Sequence, residues 1–188
     1  MNLLYPRFAW RMLPRMLLIA ALGAVVGGVY GVIHDQVTYS ISSEYFTKLK
    51  FDQFRYANFG FSERIFAGEV GFLATWAVGF VAAWFLARLA VPAWPFPTAL
   101  RRCLRGFVII FTVAFLAAGV GFILGLNHTP DYSNWQLLGD ELGVTDLPAF
   151  VRVAYIHNAG YLGGVVGLVI AIFHLWRLRK LEAASRTG

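Results

Sequence analysis

Four side chains that are able to bind a metal ion occur at similar depths in four apolar segments of the chain. They are three histidines and one glutamate: His34, Glu69, His128 and His157. Neutral imidazole and carboxylate are good donors to zinc, iron, manganese and copper, and helical bundles build metal sites from inward-facing side chains on different helices. We therefore predict a metal centre with these four residues as ligands. A transition metal is the expected cofactor, and haem is the alternative.

Further polar residues near these positions are candidates for orienting the imidazole rings through hydrogen bonds. They are Asp35, Glu44, Tyr155 and Asn158. No HExxH or ExxH motif is present, so the predicted centre depends on how separate segments come together. The single cysteine, Cys103, excludes a multi-thiolate site, and neither a serine elbow nor a Cys–His arrangement is present. Whether the chain is an enzyme stays open.

Two other functions fit the same residues. Ionisable groups inside membrane spans are costly and often mark ion paths, so Glu69 and His157 are candidates for a proton-conducting or transport component. In the second alternative the protein is a membrane scaffold or complex subunit, and the polar residues only link helices. Glu69 would then pair with Arg64 or Arg152, and the histidines would be polar helix ends or interhelical links.

The composition indicates the elements that position these residues. Hydrophobic residues make up 59% of the 188-residue chain and charged residues 14%, with a mean hydropathy of +0.63. Apolar stretches long enough to cross about 30 Å of hydrocarbon lie at about 14–34, 65–90, 106–127 and 150–176. Backbone groups in lipid must be satisfied within the segment, so these stretches should be helices. We predict one all-α membrane domain over 1–188, an up-down bundle of four transmembrane helices.

The distribution of charge predicts the orientation of this bundle. Eleven basic residues and one acid lie at the amino end, in and beside the connection 91–105, and in the tail. The connection 35–64 balances four basic residues with four acids, and 128–149 holds four acids and no Lys or Arg. The positive-inside rule therefore places both termini in the cytoplasm and the latter two loops outside. Basic residues that flank apolar runs also argue against a nucleic-acid partner and for the lipid bilayer.

The first outer loop, 35–64, is unusually aromatic. It contains eight Tyr or Phe residues, and apolar and polar residues alternate from Val37 to Ile41. Ser42 or Ser43 is a suitable cap for a short helix that follows. We expect this partly helical loop to fold over the mouth of the bundle.

Glycines at four-residue spacing occur in the first, third and fourth apolar segments. This spacing allows helix backbones to approach closely. The glycine faces predict either packing within one bundle or a homo-oligomer.

The stretch from His34 to Phe51, HDQVTYSISSEYFTKLKF, resembles a segment of small, uncharacterised four-helix proteins of the bacterial inner membrane. The resemblance covers this loop and the adjoining helix, with a further similarity at His157-Asn158. It departs from the family pattern at Ser43, where proline is expected. The resemblance implies a bacterial inner membrane and carries no known activity.

Overall fold

The computed structural model describes residues 8–127 and 133–185, and all regular secondary structure in those ranges is helical. The helices of ten residues or more are α1 (Leu13–Ile41), α2 (Glu63–Ala90), α3 (Phe96–Asn127), α4 (Ser133–Leu142) and α5 (Leu147–Ala184). Shorter helical turns comprise the 3-10 turns Trp10–Met12 and Arg55–Ala57, the π-helix Tyr45–Lys50 and the α-helical turn Phe51–Gln53.

Within the described residues, four helices are long and apolar enough to cross a membrane. They are α1 with its preceding turn, α2, α3 and α5, and they contain windows with mean hydropathy between 1.8 and 2.7. Three of them extend well beyond the predicted apolar stretches. In particular, α1 continues past residue 34 to Ile41, where Ser42 adopts an extended conformation. His34 and Asp35 therefore lie inside a helix and not at its end, because neither proline nor glycine interrupts the helix between them and Ser42.

The helices α1 and α2 pack closely and antiparallel through glycine. A Cβ atom on Gly31 would collide with the carbonyl oxygen of Gly71, and one on Gly27 would lie 2.9 Å from the Cα of Gly79. Thr75 strengthens this contact, since its hydroxyl is 2.9 Å from the carbonyl oxygen of Gly27 on the other helix. Glycine thus brings the two backbones into direct contact.

The helices α3 and α5 form a second antiparallel pair of the same kind. A Cβ atom on Gly163 would lie 2.9 Å from the Cα of Ala114, and one on Gly167 would lie 2.8 Å from the Cα of Ile110. The glycine spacing seen in the sequence is therefore used for packing within the chain at these positions.

Large side chains fill the seam between the two helix pairs. At one end, buried residues from all four long helices form a core that includes Met16, Leu86, Phe107 and Leu175. At the other end, Tyr45, Phe46 and Phe150 form a separate aromatic core. The seam between these cores is where polar side chains from α1 and α5 meet.

The first loop, 35–64, packs onto the long helices, as its aromatic content predicts. The hydroxyl of Ser42 lies 3.4 Å from the backbone N–H of Tyr45 and caps the π-helix. Phe46 is completely buried beneath it. The alternating residues Val37 to Ile41 belong to α1, so their alternation does not indicate a strand.

The second outer loop contains a helix, α4, that its polar composition did not suggest. Apolar side chains of α4 pack against the aromatic core beside Phe46 and Phe150. The two outer loops are also joined directly. The carboxylate of Glu44 accepts hydrogen bonds from the backbone N–H groups of Thr145 (3.1 Å) and Asp146 (2.8 Å) and from the Thr145 hydroxyl (2.8 Å).

Candidate metal centre

His157 of α5 lies at the centre of a buried polar cluster in the seam. Only 2% of the residue is exposed. Its Nδ1 atom is 3.1 Å from the Tyr161 hydroxyl. Its Nε2 atom is 3.3 Å from the Thr38 hydroxyl and 3.8 Å from the Asp35 carboxylate. Both ring nitrogens therefore face oxygen atoms, which is the environment of a histidine with a defined orientation.

Two consecutive residues of α1 face His157 across the seam. The ring centroids of His34 and His157 are 4.8 Å apart, and Asp35 is buried. One donor atom from each of His34, Asp35 and His157 lies within 4.8 Å of the other two. The structure thus brings two imidazoles and one carboxylate together from two helices that belong to different pairs.

Local packing explains why Asp35 can occupy this position. A Cβ atom on Gly71 of α2 would lie 3.1 Å from the Asp35 Cβ, so the glycine leaves room for the carboxylate. Thr38, one turn further along α1, places its hydroxyl within 3.1 Å of the His34 carbonyl oxygen and beside His157. The close approach of α1 to α2 therefore determines where the Asp35 carboxylate lies.

Aromatic rings enclose the cluster. Tyr45 and Phe46, from the π-helix, have ring centroids 5.0 and 6.2 Å from that of His157. Tyr30 stacks on His34 at 5.8 Å and on Phe111 at 4.7 Å. Burial raises the pKa of the Tyr45 phenol, so its hydroxyl stays neutral beside the imidazole. The aromatic first loop therefore covers one end of the polar cluster.

Lys50 contributes a cation at the edge of the cluster. Its ammonium lies 5.8 Å from the centre of the Tyr45 ring. Burial lowers the pKa of Lys50, and the nearby Asp35 carboxylate opposes that shift. The lysine therefore offers a counter-charge to Asp35 from the π-helix.

Glu69 does not join this group. On a helix, residues two positions apart point about 200° apart, so Glu69 faces away from the side on which Gly71 contacts Asp35. It lines a shallow groove with Val32, Gln36 and Arg64 instead. Its Oε2 atom is buried and has no hydrogen-bond partner among the described residues. The fourth predicted ligand, His128, lies outside the described residues.

The residues predicted to orient the imidazoles have different surroundings. Asp35 belongs to the cluster itself. Glu44 joins the two outer loops, and these hydrogen bonds from Asp146 and Thr145 lower the pKa of its carboxyl group. The Tyr155 ring packs against Trp135, with 6.4 Å between ring centroids, and Asn158 is exposed.

Two polar side chains beside His157, those of Tyr161 and Thr38, were not selected from the sequence as part of the site. Tyr161 lies four residues after His157, and Thr38 lies four residues after His34, so each pair shares one helix face. That spacing is the signal that could have identified them. It gains meaning only when the facing residues of the other helix are known.

This arrangement is suited to metal binding. Two ligand atoms bound at about 2.1 Å to the same ion are at most about 4.2 Å apart, so the Asp35–His157 separation of 3.8 Å already fits. The wider separations in the group require a small inward rotation of a side chain. A Tyr161 oxygen that accepts a hydrogen bond from Nδ1 would leave the Nε2 lone pair of His157 free for the metal. Three protein ligands would leave a coordination position open.

The chain was also compared with known proteins. No protein-family model matches it, and no curated protein or solved structure matches it at a significant level. The geometry of the polar cluster therefore has to support the functional assignment by itself.

Proposed function

We propose that this protein is a bacterial inner-membrane protein that binds a divalent transition-metal ion near the outer face of its helix bundle. The ligands are His34, Asp35 and His157. The observation that carries the proposal is the convergence of their donor atoms to within 4.8 Å in a seam where Asp35 and His157 are buried. Glu69, a ligand in the sequence prediction, is left out because it faces a different surface.

Several observations support the membrane location and the up-down arrangement with cytoplasmic termini. The four long helices have the length and composition of spans, and the first loop resembles bacterial inner-membrane proteins. Basic residues at the opposite end from the cluster lie over aromatic rings. Arg102 is 3.9 Å from the centre of the Trp94 ring and Lys180 is 4.0 Å from that of Trp176. Basic and aromatic residues together are typical of a cytoplasmic membrane interface.

The donor set supports a transition metal over calcium or magnesium. Imidazole suits zinc, copper, iron and nickel, whereas the harder cations prefer sites built from oxygen atoms. Two histidines with one carboxylate and an open position is the ligand set of zinc hydrolases and of non-haem iron enzymes. A metal held in this way would be available to a substrate, a redox partner or a second metal carrier.

The experiment is metal analysis of the protein purified in mild detergent and reconstituted with zinc, iron(II), manganese or copper in turn. We expect about one equivalent of one ion per chain in the wild type and roughly a tenth of that or less in His157→Ala and Asp35→Asn. His174→Ala is the matched control, because His174 is exposed at the opposite end of α5. Equal metal content in wild type and His157→Ala would overturn the proposal.

A second candidate function is proton conduction through the same cluster. Asp35, His157 and Tyr161 form a chain of polar groups across the seam, with adjacent atoms 3.8 and 3.1 Å apart. The sequence predicted Glu69 with His157 as the pair for this function, but Glu69 lines the surface groove between α1 and α2. Asp35 is therefore the better partner for His157.

Proton flux into liposomes that contain the purified protein separates the two functions. Conduction requires flux that Asp35→Asn abolishes and that Glu69→Gln leaves unchanged, with or without a chelator. Metal binding without flux leaves the first proposal standing.

A further inference from the structure

A groove on the surface between α1 and α2 contains two charged residues that do not belong to the polar cluster. It encloses about 530 Å³ and is lined by Val32, Gln36, Arg64, Ile65, Gly68, Glu69 and Phe72. Most of its surface is apolar, and among the described residues that line it Arg64 and Glu69 are the ionisable ones. The groove lies on the surface of the helix pair, where Val32 and Gln36 of α1 meet Gly68 of α2, and not in the seam that holds Asp35.

Glu69 is the unusual member of this lining. Its Oε2 atom is buried, and no described residue donates a hydrogen bond to it. A buried polar atom without a partner destabilises the fold, so such atoms are rare in native proteins and call for an explanation. A ligand that carries a hydrogen-bond donor would provide the missing partner.

Arg64 supplies a cation to the same groove. Its guanidinium donates hydrogen bonds to the Gln36 amide oxygen (3.1 Å) and the Ser40 hydroxyl (2.8 Å), and it lies over the Tyr39 ring. Gln36 in turn donates to the Arg64 carbonyl oxygen at 2.7 Å. These contacts hold the arginine against α1 while other N–H groups of the guanidinium stay free to bind an anion.

We propose that this groove binds a phospholipid with an ethanolamine headgroup. The primary ammonium would donate to Glu69, the phosphate would bind Arg64, and an acyl chain would lie along Val32 and Phe72. The two charged residues are five positions apart, which is about 7.5 Å along the helix axis. Both residues line the groove, so a headgroup that carries a cation and an anion can contact both of them. The proposal rests on the membrane location proposed above and is independent of the metal.

Two other common phospholipid headgroups, choline and glycerol, each lack one chemical feature of ethanolamine. A choline headgroup has the same phosphate but no N–H donor for Glu69. A glycerol headgroup has hydroxyl donors but no cation. The N–H donor for Glu69 therefore favours ethanolamine over choline, and the cation favours it over glycerol.

The test is lipid binding to the delipidated protein in detergent, measured by native mass spectrometry with ethanolamine, choline and glycerol phospholipids of identical acyl chains. We expect wild type to bind the ethanolamine lipid about tenfold more tightly than the choline lipid, the ratio expected for one charge-assisted hydrogen bond. Glu69→Gln should abolish this preference. Arg64→Gln should weaken both lipids and leave their ratio intact, because the phosphate is common to them.

The matched control is Glu63→Gln, which removes a glutamate whose carboxylate is bonded to the Tyr39 hydroxyl at 2.9 Å. It should keep the headgroup preference. Thermal unfolding gives a second readout, since the ethanolamine lipid should raise the melting temperature of wild type and not that of Glu69→Gln. Equal affinity of wild type for the ethanolamine and choline lipids, or a preference that survives in Glu69→Gln, would overturn the inference. Tighter binding of the glycerol lipid would also overturn it. In each case the membrane location and the metal proposal would be untouched.

Discussion

His157 determines the chemistry of the proposed centre because its two ring nitrogens have separate roles. Nε2 faces Asp35 and Thr38, whereas Nδ1 faces Tyr161. If Nε2 binds a metal, Nδ1 must carry the proton of the neutral ring and donate a hydrogen bond to the tyrosine oxygen. The Tyr161 hydroxyl thereby fixes the tautomer of His157 without binding the metal itself.

The first prediction follows from this division of roles. Tyr161→Phe removes the hydrogen-bond acceptor but leaves all three ligands, and we expect metal affinity to fall about 10- to 100-fold. Competition with a chromogenic chelator measures the affinity. Tyr56→Phe, in the exposed part of the first loop, is the control and should bind like wild type. An unchanged affinity in Tyr161→Phe would show that the tyrosine does not position the ligand.

At this scale the sequence selected His34 and His157 as ligands, expected a different role for Asp35, and added Glu69, which lies elsewhere, and His128, which lies outside the described residues. His34 and His157 could be selected because imidazole inside an apolar segment is rare and chemically specific. Asp35 was expected to orient a ligand, whereas the structure makes it a candidate ligand itself. The sequence shows which residues are neighbours along a helix, but it does not show which of them faces another helix. Glu69 was included because its depth matches that of the others. The depth of a residue in the membrane can be predicted from hydropathy. The direction in which Glu69 points depends on the contact of Gly71 with α1, which only the structure shows.

At the scale of elements, two kinds of contact hold the cluster in place. Glycine allows α1 and α2 to touch, and that contact positions Asp35. Glu44 ties the π-helix to the start of α5, and the π-helix places Tyr45 over His157. The apolar segments were visible in the sequence, whereas helix α4 and this tie were not, because both depend on contacts between the two outer loops.

The second prediction concerns the glycine contact. In Gly31→Ala the new Cβ would meet backbone atoms of Gly71, which cannot rotate away, and overpacking of this kind destabilises by about 1–3 kcal/mol. Gly119→Ala is the control, since a Cβ there has open space within α3. That substitution should stabilise by roughly 0.5–1 kcal/mol, because alanine is the better helix former. Thermal or denaturant unfolding in detergent distinguishes the two, and equal effects would contradict the packing.

The third prediction concerns pH and Glu44. Hydrogen bonds from Thr145 and Asp146 lower its pKa below the ordinary value of 4.5, so folding favours the ionised carboxylate. The resulting stability is complete above pH 4.5 and is lost as the pH falls through the lowered pKa. Glu44→Gln should therefore be less stable than wild type at pH 7, and the difference should shrink below pH 4.5.

Melting temperatures of both proteins between pH 7 and pH 3 provide the measurement, because the difference between them removes the titration of other carboxylates. Asp52→Asn, which removes an exposed carboxylate next to Arg55, is the control and should follow wild type throughout. A difference between wild type and Glu44→Gln that stays constant across the range would mean that the stability of this tie does not depend on the ionised carboxylate.

At the scale of the whole molecule, the chain consists of two closely packed helix pairs, and the polar cluster lies at the seam between them. His34 and Asp35 belong to the pair α1–α2, whereas His157 belongs to the pair α3–α5. Inside each pair glycine brings backbones together, but between the pairs the contact depends on side chains such as Met16, Leu86 and Leu175. A metal bound to all three ligands would therefore link the two halves of the fold.

The last prediction tests that link. A ligand that binds only the folded state at 100 times its dissociation constant adds about 2.7 kcal/mol of stability. For a chain of this size the melting temperature should rise by roughly 5–11 °C. The rise should disappear in His157→Ala, which loses the only ligand on α5, and should persist in Glu69→Gln, whose side chain faces the groove. If the metal instead bound only to the adjacent residues His34 and Asp35, His157→Ala would keep most of the rise. The size of the shift in this one variant therefore tells whether the ion joins the two helix pairs or is attached to one of them.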